Sequence, residues 1–148
     1  MSDNILVIPK VSIIIPIYNT APFLRETLDS ICNQSLKELD IILINDGSTD
    51  ESPDIIEEYA LRDHRIRYMT QPNQGQSVAR NNGLQLATGK YIYFMDSDDK
   101  LDTDALKECY NICEKDKLDF VFFDATVISA PDTSNTFTYC RKGIINEN

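Results

Sequence analysis

The sequence predicts an α/β fold built on a mainly parallel sheet, and three observations carry that expectation. Short β-branched and aliphatic runs alternate with stretches whose apolar residues recur at helical spacing, the pattern of βαβ units. The runs end in clusters of small polar or acidic residues rather than in hairpin turns. The run Tyr91–Met95 is apolar or aromatic without a break and leads straight into Asp96, Asp98 and Asp99. Open parallel sheets place their ligand sites at such carboxyl ends.

Taken in order, residues 1–10 read as a lead-in, and Val11 to Ile17 as a buried strand. Thr20 is placed to N-cap a helix, and Pro22 suits its first turn because its missing N–H is no loss there. Leu24, Leu28, Ile31 and Cys32 fall on one face, with an end near Gln34. Leu39 to Ile44 is a second buried strand, stopping at the turn Asn45-Asp46-Gly47-Ser48. Pro53 marks another helix start, with Ile55, Ile56, Tyr59 and Ala60 on one stripe. Arg65 to Thr70 reads as a short strand, residues 71–76 as a polar loop, and Val78 to Ala87 as a helix stopped by Gly89. Tyr91 to Met95 is expected to be the central strand, buried on both faces. Leu106, Cys109, Tyr110 and Cys113 mark a further helix, Leu118 to Phe123 a further strand leading through Val127 and Ile128, and Thr136 to Cys140 a short possible strand.

A chain of 148 residues is one domain or a large part of one. Its formal charge of −10 argues against nucleic acid or an anionic membrane surface as partner. A phosphorylated small molecule remains compatible if a cation lies between the two negative partners. Cys32, Cys109, Cys113 and Cys140 form no CxxC pair; Cys109 and Cys113, one turn apart, read as buried thiols rather than zinc or disulfide sites. His64, in a charged stretch, reads as exposed. No signal-peptide pattern is seen, and Val11–Tyr18 is too short to span a bilayer, so a cytoplasmic setting is expected.

Three carboxylates packed into a strand end are unfavourable unless a cation or raised pKa values relieve them. Oxygen-only donors suit Mg²⁺ or Mn²⁺. A solvated acidic turn capping the helix near Thr103 is the plainer alternative. In a parallel sheet, Asn19, Asp46 to Ser48 and Asp96 to Asp99 share one rim, and the N–H groups of the Gly-Ser-Thr-Asp run are placed to take an anion. The GxGxxG and GxxxxGK[ST] signatures are missing, which removes dinucleotide redox and P-loop chemistry. One histidine in a charged stretch offers no nucleophilic triad.

VSIIIPIYN, then a helix, DIILINDGSTDES, and NQGQSVARNNGLQLATGKYIYFMDSDD follow one another in an order and spacing that resembles the family-2 inverting glycosyltransferases. The resemblance covers residues 10 to 125. It implies the GT-A fold, a Rossmann-like three-layer α/β/α arrangement, and transfer of a sugar from a nucleotide-diphospho-sugar, UDP-sugars favoured, to an acceptor hydroxyl with inversion. By position it implies Asp98 as the metal ligand and Asp96 near the ribose or in the metal shell. Asp46 would contact the base, Pro16 and Tyr18 would line its pocket, and Arg80 and Gly83 belong to the ARNxG segment. Arg80 would lie beside base or phosphate, or form a structural ion pair with a rim aspartate. Mn²⁺ or Mg²⁺ is the implied cofactor, and a carbohydrate or lipid-linked acceptor the implied partner, with polysaccharide biosynthesis as setting. The full-length protein would work in the cytoplasm or at the inner face of the membrane.

The resemblance divides the chain into a nucleotide-sugar half over residues 11–129 and the start of an acceptor-binding part over residues 130–148. The general base that deprotonates the acceptor is unassigned and expected beyond Asn148, since Asp119, Asp124 and Asp132 follow the acidic turn too closely. Two rival readings are a sugar-nucleotide-binding module without turnover and a Mg²⁺-dependent aspartyl-phosphate phosphatase with Asp96 as nucleophile.

Overall fold

The computed structural model describes residues 8–123 and 125. Four strands and four helices alternate: β1 (Val11–Ile17), α1 (Ala21–Cys32), β2 (Leu39–Asn45), α2 (Ser52–Arg62), β3 (Ile66–Thr70), α3 (Gln76–Leu86), β4 (Tyr91–Phe94) and α4 (Ala105–Asp116). The strands form one wholly parallel sheet in the order β3-β2-β1-β4. β1 and β2 pair along their full length, from Val11–Leu39 to Ile17–Asn45, and every residue of both is buried. Their β-branched runs are what a strand covered on both faces requires.

Alternate side chains feed two cores. Ile13, Ile15 and Ile17 pack with Leu24, Leu28 and Ile31 of α1 and Ile55, Ile56 and Tyr59 of α2. Ile14, Ile42 and Ile44 pack with Ala79 of α3 on the opposite face. Helices on both faces make the expected α/β/α layering. At the amino ends of the strands, Asp40 is buried among Ser12, Thr88 and Arg67. Its Oδ2 accepts from Ser12 Oγ at 2.8 Å and Thr88 Oγ1 at 2.9 Å, and its Oδ1 from Arg67 Nη2 at 2.7 Å. Burial alone would raise its pKa, but these hydrogen bonds bring it below the ordinary value.

Three expectations change. β4 is not central: among the described residues it pairs only with β1, and its residues alternate between half-buried and exposed. Tyr91 and Tyr93 turn to the larger core, while Ile92 and Phe94 are exposed. Residues 118–123 form no strand. Thr20 makes no side-chain cap: Pro22 has no N–H to offer, the N–H of Phe23 goes to Thr20 O at 3.0 Å, and that of Ala21 goes to Asp50 Oδ2 at 3.0 Å from the β2–α2 loop.

The chain divides into two compact units, Met1–Tyr110 and Asn111–Asn148, and the site described below lies in the first. In the second, Lys117 with φ of 53° ends α4 and lets the N–H of Leu118 reach Cys113 O at 2.9 Å. Phe120 and Phe122 meet edge to face at 5.3 Å. The boundary expected at residue 129, the strand at Thr136–Cys140, Cys140, Asp124 and Asp132 lie outside the described residues. Cys32, Cys109 and Cys113 are unbridged and His64 is exposed. No helix among the described residues is long and apolar enough to cross a membrane.

Candidate functional site

The carboxyl ends of β1, β2 and β4 open into a cleft of ≈ 230 Å³ lined by Pro16, Ile17, Tyr18, Thr20, Asp46, Gln76, Asp96, Ser97 and Asp98. Five of the seven residues singled out in the sequence therefore meet in one place: Pro16, Tyr18, Asp46, Asp96 and Asp98. A sixth, Arg80, reaches it through an ion pair from Nη2 to Asp96 Oδ1 at 2.5 Å. Arg80 Nε is buried with no hydrogen-bond partner. The seventh does not reach the cleft. Gly83 is buried where α3 crosses the sheet, and a Cβ there would stand 2.4 Å from Ile14 Cγ2.

Asp46 forms the floor of the cleft and is only 2% exposed. Its Oδ1 accepts from Gln71 Nε2 at 2.8 Å and from the N–H of Gln74 at 2.9 Å, and its Oδ2 from the N–H of Gly75 at 2.8 Å. A carboxylate has about four acceptor positions, so three are occupied and one, on Oδ2, remains for a ligand. Asn82 holds Gln71 in turn, donating from Nδ2 to Oε1 at 2.7 Å. Gly47 next door has φ of +74°, and a Cβ would meet the Asn73 backbone N at 2.9 Å. The polar loop 71–75 is thus wrapped around one buried carboxylate.

The β1–α1 and β2–α2 loops are locked to each other. Asn19, at φ of 52°, accepts at Oδ1 from the N–H of Thr49 at 2.7 Å and donates its own N–H to Ser48 Oγ at 3.1 Å. Ser48 N–H goes to Asn45 Oδ1 at 2.9 Å, and Ser52 N–H to Asp50 Oδ1 at 2.9 Å. The N–H groups of Ser48, Thr49 and Asp50 are therefore engaged within the protein, which corrects the reading of these three as part of an anion cradle. Asn19, expected on this rim, serves there as a tie between the two loops, and Gln71 and Asn82 are structural members of the site that sequence reasoning left without a role.

The acidic turn follows β4. Met95 N–H bonds Ile14 O at 3.1 Å, and Asp99 N–H closes a turn on Asp96 O at 3.2 Å. Asp96 and Asp98 point to the cleft, and Asp99 does not line it. Burial, then the neighbouring charges of Asp96 and Asp98, push the Asp99 pKa up. Lys100 pairs with Glu26 on α1. Among the described residues no three acidic, His or Cys side chains cluster as a closed metal cage. Two carboxylates on an open rim nevertheless fit Mg²⁺ or Mn²⁺, which take one or two protein carboxylates and complete their shell with phosphate oxygens and water. Asp98 and Asp96 are the residues that would hold it.

Residues 12–146 match the family model of glycosyl transferase family 2. The chain belongs to that family. It is 46% identical over 114 residues to an uncharacterized glycosyltransferase, EpsJ of Bacillus subtilis, covering 77% of this chain and 33% of the relative. Staphylococcus aureus TarS (residues 1–349), solved in complex with UDP-GlcNAc, superposes with a TM-score of 0.68 at 29% identity, covering 72% of this chain and 31% of TarS. The mannosyltransferase PcManGT of Pyrobaculum calidifontis, solved with GDP-Man and Mn²⁺, gives a TM-score of 0.58 at 29% identity over 62% of this chain and 28% of the other. The fold is that of these GT-A enzymes. The chain spans about a third of the length of these proteins. Family membership also decides against the phosphatase reading.

Proposed function

We propose that this chain is the donor-binding half of a glycosyltransferase that binds a nucleotide-diphospho-sugar with Mn²⁺ or Mg²⁺ and transfers the sugar, with inversion, to a carbohydrate or lipid-linked hydroxyl. The observation that carries the proposal is one cleft with two chemically different ends. Asp46 offers one acceptor position at its floor beside Tyr18 and Pro16, and Asp96 and Asp98 form an acidic rim. Its supports are the family, the UDP-GlcNAc bound to TarS and the GDP-Man and Mn²⁺ bound to PcManGT.

In this reading Tyr18 and Pro16 border the base, and the last acceptor position of Asp46 takes a ring N–H. Uracil at N3 and guanine at N1 both carry one, whereas cytosine N3 is an acceptor; UDP-sugars remain the favoured donors. Arg80, already paired to Asp96, brings positive charge to the phosphate end. The divalent cation, when bound, offsets the charge that grows on the departing diphosphate. Asp96 and Asp98 stand on that leaving-group side. The base that removes the acceptor proton is assigned to a region outside the described residues. Polysaccharide synthesis at the cytoplasmic face of the membrane is the proposed setting. Binding without turnover is the second reading for this chain taken alone.

Asp98→Ala is the direct test. The residue is exposed on the rim, so its loss removes a ligand and leaves the core untouched. UDP should raise the melting temperature of the wild type in the presence of Mn²⁺ and not in its absence, and the mutant should lose that increment at an unchanged unliganded melting temperature. Equal Mn²⁺-dependent stabilisation of both proteins would sink the metal assignment.

A further inference from the structure

We propose that Thr27, Ser30 and Gln34 are positioning residues, which aim Asp96 and Asp98 at the cation and diphosphate from behind by gripping the backbone of the acidic turn; this rests on the donor-site reading above. The three residues lie at i, i+3 and i+7 along α1 and just past its end, on the helix side where amphipathic spacing calls for apolar residues. Thr27 is 1% exposed and Gln34 fully buried. Burying such groups is unfavourable unless each finds a partner.

Each has a partner among the main-chain groups of residues 97–106, beside local bonds from Ser30 Oγ to Thr27 O at 2.7 Å and from Gln34 Nε2 to Ser30 O at 3.1 Å. Thr27 Oγ1 donates to Ser97 O at 2.9 Å. Ser30 Oγ accepts from the N–H of Leu101 at 3.2 Å. Gln34 Nε2 donates to Asp102 O at 2.7 Å, and its Oε1 accepts from the N–H of Leu106 at 3.3 Å. The N–H of Ser35 adds a bond to Thr103 O at 2.9 Å. This segment has no regular structure before α4, so α1 supplies partners its backbone would otherwise lack.

The position of the Thr27 bond gives it a role beyond stability. Ser97 is buried between Asp96 and Asp98, so fixing its carbonyl fixes the direction of both flanking carboxylates. Two like charges one residue apart would otherwise turn away from each other. Ligand geometry at a metal site depends on such outer partners, whose loss typically weakens metal binding about 10–100-fold.

The test is calorimetric titration of Mn²⁺ into the chain with UDP present, for wild type, Thr27→Val, Thr27→Ser and Asp98→Ala, beside the unliganded melting temperature of each. Thr27→Val keeps the shape and removes the donor. It is expected to weaken Mn²⁺ binding about 10–100-fold, with Thr27→Ser close to wild type and Asp98→Ala without Mn²⁺ binding. A merely structural role would lower the unliganded melting temperature and leave the Mn²⁺ affinity of the folded protein unchanged, and that result overturns the proposal. If Thr27→Val does not fold, the milder Ser30→Ala is titrated in its place, and unchanged Mn²⁺ affinity there overturns it equally. Absence of Mn²⁺ binding by the wild type would overturn the donor-site reading and this proposal together; undiminished binding in Thr27→Val would overturn this proposal alone.

Discussion

Single polar side chains in this chain act mostly on backbone far away in sequence. The Asp63–Arg65 pair, which reaches Cys32 on α1, is a clear case outside the cleft. The Asp63 carboxylate grips Arg65, with Nη2 to Oδ2 at 2.6 Å and Nε to Oδ1 at 2.9 Å, and Arg65 in turn donates to Cys32 O at the end of α1 at 3.0 Å. The Arg65 guanidinium, against the opposing effect of burial, lowers the Asp63 pKa to about 2 from an ordinary 3.8. A lowered carboxylate pKa contributes stability above the unfolded value, and that contribution is lost as pH falls from about 4 to about 2. Asp63→Asn should therefore cost on the order of 2 kcal/mol at pH 7, and its deficit against wild type should shrink below pH 4. Urea denaturation at a series of pH values reads this; a deficit that is the same at pH 3 and pH 7 would contradict it. Which rim residues would be ligands and which scaffold was only partly legible at this scale. Asp46, Asp96 and Asp98 stood out as acidic residues at strand ends. Asn19 was legible as a rim residue but not as a tie between loops, and Gln71 and Asn82 looked like ordinary loop and helix residues, because the partners of all three lie 11 to 31 positions away along the chain.

Elements were more legible than their neighbours. The helical stripes of α1 and α2 and the runs of β1 and β2 lie where spacing put them, since each face is buried against the sheet. Tyr91–Met95 misled because an unbroken apolar run reports burial but not sheet order. Two of its aromatics serve the core, and the strand still lies at the edge among the described residues. Gly83 misled in the opposite way, since its motif suggests ligand contact and its surroundings are packing. Alanine would favour the α3 helix by about 1 kcal/mol. Overpacking a closed contact costs about 1–3 kcal/mol, and at 2.4 Å from a methyl of a fully buried β-branched residue the upper part of that range applies. Gly83→Ala should thus lose about 1–2 kcal/mol net of stability, with UDP affinity of the folded protein unchanged. A mutant as stable as wild type but weakened in UDP binding would return Gly83 to the ligand.

At the scale of the molecule, the proposed anionic donor is reconciled with a formal charge of −10 by a cleft that separates its chemistries. In the proposed reading, the floor at Asp46, edged by Tyr18, meets a base, and the acidic rim of Asp96 and Asp98 meets phosphate through a cation. The parallel sheet puts both ends side by side because β1 lies between β2 and β4. The most direct measurement is calorimetric titration of UDP and of CDP into the chain, with and without Mn²⁺. UDP is expected to bind only with Mn²⁺, and CDP to bind more weakly by about 1–3 kcal/mol, the cost of leaving a buried polar group unpaired. UDP binding that is indifferent to Mn²⁺, or CDP binding as tightly as UDP, would contradict the account.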